Sequence, residues 1–136
     1  MNNPHTIHVC AAVIRKNGKV LLCSRPDGKH LQGMWEFPGG KVDNRETDGE
    51  CLRREIKEEL SLDIFVADQI YRISHQYPEK EVDIRFYRAF PTDAKQKITA
   101  MDNQQYKWVD ISDLGSMGII PADAPFCEFL RKGYVD

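Results

Sequence analysis

Residues 39–62, GGKVDNRETDGECLRREIKEELSL, constrain this chain more than any other stretch. Thr47-Asp48-Gly49-Glu50 fits the S/T-x-x-E capping box, which satisfies two orphan backbone donors where a helix begins. Leu52, Ile56 and Leu60 follow at i, i+4 and i+8, a stripe that one helix face has to bury. Glu55, Glu58 and Glu59 stand at i, i+3 and i+4, so they share a side of the same helix. Like charges at this spacing cost a bare helix roughly 0.2–0.5 kcal/mol per pair. Measured from Ile56, the centre of the stripe, Glu59 lies about 60° away, Glu55 about 100° and Glu58 about 160°. Glu59 therefore falls at the margin of the buried face, an expensive place for a lone charge. Either Arg53, Arg54 and Lys57 neutralise the face in solvent, or a cation sits on it.

The chain has 136 residues, enough for one compact domain with a core, and residues 1–136 read as a single domain without linker or repeat. With 41% hydrophobic residues, 29% charged residues and a net charge of −2, it has no basic block for a nucleic acid backbone, so no nucleic acid polymer is expected as partner. The N-terminus lacks the apolar region of a secretory signal, and no apolar run approaches the ~18 residues of a membrane span. Cys10, Cys23, Cys51 and Cys127 show no CxxC spacing and read as reduced, mostly packed thiols of a cytoplasmic protein.

Ile7–Ile14 and Lys19–Cys23 are apolar, β-branched runs joined through Asn17-Gly18, the strongest short hairpin signal. Arg25 closes the second run, and Pro26–Gly33 is a loop. Met34–Pro38 is extended and meets the Gly39-Gly40 turn. Beyond the helix, Ile64–Ser74 and Val82–Phe90 read as strands around a turn at Pro78, and Val82, Ile84 and Phe86 alternate with Asp83, Arg85 and Tyr87. Pro91–Gln105 is loop, Tyr106–Val109 a strand, Ser112–Met117 a helical turn and Asp123–Lys132 a helix. This order predicts an α+β fold, a mixed β-sheet flanked by helices in an α/β/α sandwich.

The wider spacing narrows the function. Gly40, five residues, Glu46, seven residues, Arg54-Glu55-Ile56, one residue and Glu58-Glu59 match the Nudix box, G-x5-E-x7-R-E-U-x-E-E-x-G-U, where U is apolar. Ser61 replaces the last glycine, which ends the helix in a left-handed conformation, and Leu62 fills the last apolar place. The chain resembles a Nudix hydrolase over nearly its whole length. WEFPGGKV before the box and the closing PADAP look like the MutT branch, and within it most like bacterial CTP pyrophosphohydrolases. The resemblance implies Mg²⁺- or Mn²⁺-dependent hydrolysis of a nucleoside triphosphate to the monophosphate and pyrophosphate.

It also implies roles. Glu55, Glu58 and Glu59 hold the metal with the Gly39 carbonyl, and Glu55 or Asp102 takes the proton of the attacking water. Asp102 lies six residues before Trp108, where relatives tend to carry a longer glutamate. Glu46 and Arg54 form a structural pair. Arg25 and Lys41 meet phosphate. Asp123 in PADAP falls where MutT reads a purine with asparagine, and a carboxylate accepts from the cytosine N4 amino group. Asp123 also stands at an N-cap position before Ala124-Pro125. Glu36 is a second acceptor near the base, with Trp35, Phe37 or Tyr77 as stacking aromatics. The substrate implied is CTP, dCTP or a modified cytidine nucleotide; the alternatives are 8-oxo-dGTP and a nucleotide sensor without catalysis. Monomer and homodimer both remain open. His5, His8, His30 and His75 lack metal-ligand spacing and read as surface or packing residues, and the GGK turn lacks the GxxxxGK[ST] of a P-loop.

Overall fold

The computed structural model describes residues 6–101 and 104–133. The strands are β1 (Thr6–Val13), β2 (Arg15–Lys16), β3 (Lys19–Ser24), β4 (Trp35–Glu36), β5 (Gly39–Lys41), β6 (Ile64–Gln76), β7 (Glu81–Pro91) and β8 (Tyr106–Asp110). The helices are α1 (Asp48–Leu60) and α2 (Ala124–Arg131), with a 3-10 turn at Ile111–Ser116.

The fold is α+β, as expected, with the strands divided between two four-stranded sheets. The first has the order β5-β1-β7-β6 and is mixed, β1 and β7 being parallel. In the second, β3 pairs antiparallel with β2, β4 and β8. The expected hairpin explains the split. Asn17 and Gly18 both have positive φ, 52° and 77°, the backbone of a two-residue hairpin turn. Pairing extends back only to Ile14, whose carbonyl accepts from the Leu21 N–H at 3.1 Å. The chain then crosses over, and β1 pairs with β5 and β7 instead.

Period-two alternation sorts the core into two layers. Ala11, Val13, Val20 and Leu22 pack with Phe126, Cys127 and Leu130 of α2. Cys10, Ala12, Ile14, Leu21 and Cys23 pack with Cys51, Leu52, Ile56 and Leu60 of α1. Strands buried on both faces carry unbroken apolar runs, which is how β1 and β3 look in the sequence. Phe37 lies edge-on to Phe86 and Phe126, with centroids 5.8 and 5.2 Å away, so this aromatic belongs to the core.

The polar face of β7 fastens α1 to the sheet. Asp83, only 3% exposed, accepts from Arg72 and Arg85 and meets His8 at 3.2 Å. Arg85 also reaches Asp48 in the first turn of α1, and the Tyr87 hydroxyl donates to the same carboxylate. At the start of α1 both halves of the Thr47–Glu50 capping box form. At its end Ser61 is left-handed, with φ 54° and ψ 33°. The loop after β7 completes that end, because Thr99 and Met101 donate backbone N–H groups to the carbonyls of Leu60 and Glu59, both at 3.0 Å. No described helix is long and apolar enough to cross a membrane.

Candidate active site

The glycine pair is required by two separate close approaches. A Cβ on Gly39 would overlap the backbone carbonyl oxygen of Cys10 across the β1–β5 ladder. A Cβ on Gly40 would collide with the carboxyl group of Glu55. The turn thus lies directly on α1, and Arg54 locks it there. Arg54 donates to Glu46 from Nε at 3.0 Å and from Nη2 at 2.5 Å, to the Lys41 carbonyl at 3.3 Å and to Glu55 at 2.8 Å. The hydrogen bonds from Arg54 hold the Glu46 carboxyl down at about 2. The expected Glu46–Arg54 pair is present, and Arg54 ties the loop after the glycine turn to the acidic face as well.

The three glutamates of that face have different surroundings. Glu58 is 61% exposed on its side chain and meets only the edge of Arg54, at 3.5 Å. Glu55 is half-buried; burial pushes its carboxyl up, against the pull of Arg54. Glu59 is the deepest. Burial, then Glu55, then Glu36 push it up to about 8, while the Gly39 N–H donates to it. Its place beside the apolar stripe is the one the helical spacing assigned. The Glu59 contact uses the Gly39 N–H; the Gly39 carbonyl is the group expected on the metal.

Among the described residues, no three acidic, thiol or imidazole groups converge into a ready cation cage, since Arg54 occupies Glu55 and Glu58. The chemistry of the donor set still fits a hard divalent cation: Glu55 and Glu59 repel one another, and Mg²⁺ or Mn²⁺ takes oxygen ligands. Asp102 lies outside the described residues.

A cleft of about 140 Å³ opens next to this face, with Arg25, Glu36, Gly39, Lys41 and Asp123 in its walls. Four residues expected to bind substrate are therefore together although they are spread from position 25 to position 123. Arg25 donates from Nη1 to Glu36 at 3.2 Å and from Nε to the His30 carbonyl at 3.1 Å. Burial pushes Glu36 up and Arg25 opposes it. Asp123 is 2% exposed and accepts from the Phe37 N–H at 3.0 Å. It makes no side-chain cap to α2; its carboxyl is bound to the Phe37 N–H in the cleft wall instead. Complete burial, and then the neighbouring Glu36, push it up to about 8.

Of the three aromatics proposed for stacking, only Tyr77 borders the cleft without being fully buried, although it packs against the core. Phe37 is packed against Phe86 and Phe126, and Trp35 turns to Lys107 instead, 5.8 Å from its ring centroid. The sequence reads His30 as a surface or packing residue and does not single out Lys80, yet both line the cleft. His30 meets Tyr77 edge-on at 5.1 Å, and Lys80 lies 5.9 Å over the same ring. They come from two different loops, and nothing in their spacing signals that the loops meet.

Residues 9–128 match the family model described as NUDIX domain. Helix, glycine turn and two-sheet fold accord with that match, and the chain belongs to the Nudix hydrolase family. It is a pyrophosphohydrolase of the MutT kind. It is 34% identical to the CTP pyrophosphohydrolase of Escherichia coli (strain K12) over 122 residues, covering 90% of this chain and 89% of that protein. It is 32% identical to the 8-oxo-dGTP diphosphatase of Proteus vulgaris over 100 residues, 73% of this chain and 88% of that one. Among solved structures, a MutT protein from Methanosarcina mazei Go1 superposes with a TM-score of 0.83 at 25% identity, covering 96% of each chain.

Proposed function

We propose that the chain, acting as one domain, hydrolyses a cytidine nucleoside triphosphate (CTP, dCTP or a modified form) to the monophosphate and pyrophosphate. The observation that carries this reading is the pairing of Glu36 and Asp123 in one cleft. Glu36, salt-bridged to Arg25, offers an acceptor to the N4 amino group. Asp123, held protonated at neutral pH by burial, offers a donor to N3. The cleft volume of about 140 Å³ lies below the roughly 300–1,000 Å³ that encloses a drug-sized ligand, which favours a single-ring base with the phosphates outside.

Arg25 and Lys41 receive phosphate oxygens as charge-assisted donors. Tyr77 stacks on the base. Glu55 or Asp102 takes the proton of the attacking water. Glu55, Glu58, Glu59 and the Gly39 carbonyl would hold Mg²⁺ or Mn²⁺, which would supply neutralisation of the triphosphate and of the charge that develops during hydrolysis. The enzyme works as a monomer or homodimer in the cytoplasm, in keeping with four free, buried cysteines, without a nucleic acid polymer or a membrane as partner.

A second reading, hydrolysis of 8-oxo-dGTP, draws on the same pair: a protonated Asp123 also suits the guanine O6 and Glu36 the N1–H. The Proteus vulgaris relative named for that substrate supports it. Pyrophosphate release over a nucleotide panel separates the two. The cytidine reading expects kcat/KM for CTP or dCTP above that for 8-oxo-dGTP by about tenfold or more. A preference of that size in the opposite direction sinks it.

A further inference from the structure

A second cavity, larger than the active-site cleft, lies where the two sheets part. It holds about 450 Å³, within the roughly 300–1,000 Å³ of small-molecule pockets. Ile14, the crossover residue, and Leu62, just past α1, are buried at its base. Phe90, Tyr106 and Trp108 supply its aromatic walls; Phe90 is 53% and Tyr106 40% exposed, unusual for side chains of that size. Tyr106 and Trp108 are two residues apart on β8, so they share a face.

The charges are one-sided. Arg15, Lys16 and Lys97 border the cavity and, among the described residues, no acidic residue does, in a chain whose net charge is −2. Lys16 Nζ stands 5.9 Å over the Trp108 ring. The far wall, residues 94–98, is pinned in place by Gln96, which accepts from the Asp63 N–H at 2.8 Å and donates to the Asp63 carbonyl at 2.9 Å. The site is therefore an ordered recess with an apolar base, aromatic faces and a cationic rim.

We propose that this recess is a second binding site, for a nucleoside monophosphate whose base stacks on Tyr106 or Trp108 and whose phosphate meets Lys97 and Lys16. Stacking faces with cations accept any base, because every base has a π-face and no edge is read. The choice of a nucleoside monophosphate rests on the substrate reading above, but base indifference separates the two: AMP binds here as CMP does, whichever triphosphate the active site prefers. The site shares a loop with the catalytic helix, since the wall at 94–98 runs directly into Thr99 and Met101, which close the end of α1.

The test is a titration of the full-length ¹⁵N-labelled protein with CMP and with AMP, following the two tryptophan indole N–H signals. The Trp108 signal is expected to shift saturably with both, and cytidine or inorganic phosphate alone to bind about tenfold more weakly or worse. Lys97→Glu is expected to weaken the Trp108 response about tenfold while leaving kcat/KM unchanged. Tyr106→Ala, at an exposed position, gives a second variant with the same expectation for binding. The proposal is overturned if millimolar nucleotide leaves Trp108 unmoved, or if phosphate or cytidine alone matches CMP. It is equally overturned if neither variant alters the response, or if a short oligonucleotide binds there more than about tenfold tighter than CMP.

Discussion

Asp123 accepts a hydrogen bond at 3.0 Å from the backbone N–H of Phe37, a residue 86 positions earlier in the chain. This contact joins the start of α2 to the segment between β4 and the glycine turn. It also places a fully buried carboxyl beside Glu36.

Asp123→Asn keeps an acceptor for the Phe37 N–H and removes the titrating proton. The folded carboxyl titrates at about 8 and the unfolded one near 3.8, so the folded state holds the extra proton between those values. Wild-type stability is then greatest in acid from this group and falls as pH rises towards 8. Chemical denaturation at pH 5 and pH 8 checks it: the variant should lose less stability over that interval than the wild type. At pH 7 its preference for cytosine should persist, since the amide donates to N3 as the protonated carboxyl does, and above pH 8, where the wild-type carboxyl ionises, the variant alone should keep it. The same pH dependence of preference in variant and wild type would remove Asp123 from base recognition.

The two glycines should fail differently. Gly39→Ala drives a Cβ into the Cys10 backbone, and strand pairing cannot yield, so a loss of about 1–3 kcal/mol or more is expected. Gly40→Ala meets the movable end of Glu55, so activity should drop far more than stability. Thermal unfolding together with kcat on both variants decides it.

Glu58→Gln should reduce kcat by about 100-fold or more with little change in Tm. Glu58 is mostly exposed and supports no core contact, so only a metal role makes it costly. Near-normal turnover would contradict the ligand assignment.

Ser61→Gly should stabilise the protein by about 0.5–1 kcal/mol with turnover unchanged. A non-glycine residue in the left-handed region costs about 1–2 kcal/mol, part of which is offset by the greater freedom of unfolded glycine. A denaturant midpoint that does not rise would show that Ser61 is held there without strain.

Much of the fold was legible from local pattern. The capping box, the end of α1 at Ser61, the Asn17-Gly18 turn and the alternation of β7 all appear where the spacing put them. The crossover at Ile14 was not legible, because a continuous apolar run fits one strand or two equally well. The roles of Trp35 and Phe37 could not be separated either, since an aromatic in a strand carries no mark of which side faces a ligand.

By itself the sequence determined the helix, its acidic face and the glycine turn that leads into it, because these depend on residue type and on spacing within a few helical turns. Tertiary structure alone decided how that acidic face is divided. Glu58 stays in water, Glu55 is bound to Arg54, and Glu59 is driven up to about 8. It also decided that Asp123 faces the cleft instead of capping α2, and that His30 and Lys80 join Tyr77. The physical reason is that desolvation and contact between distant segments belong to the packed chain as a whole. Spacing can place a carboxylate on a face, but only the neighbours that exclude water from it set its charge.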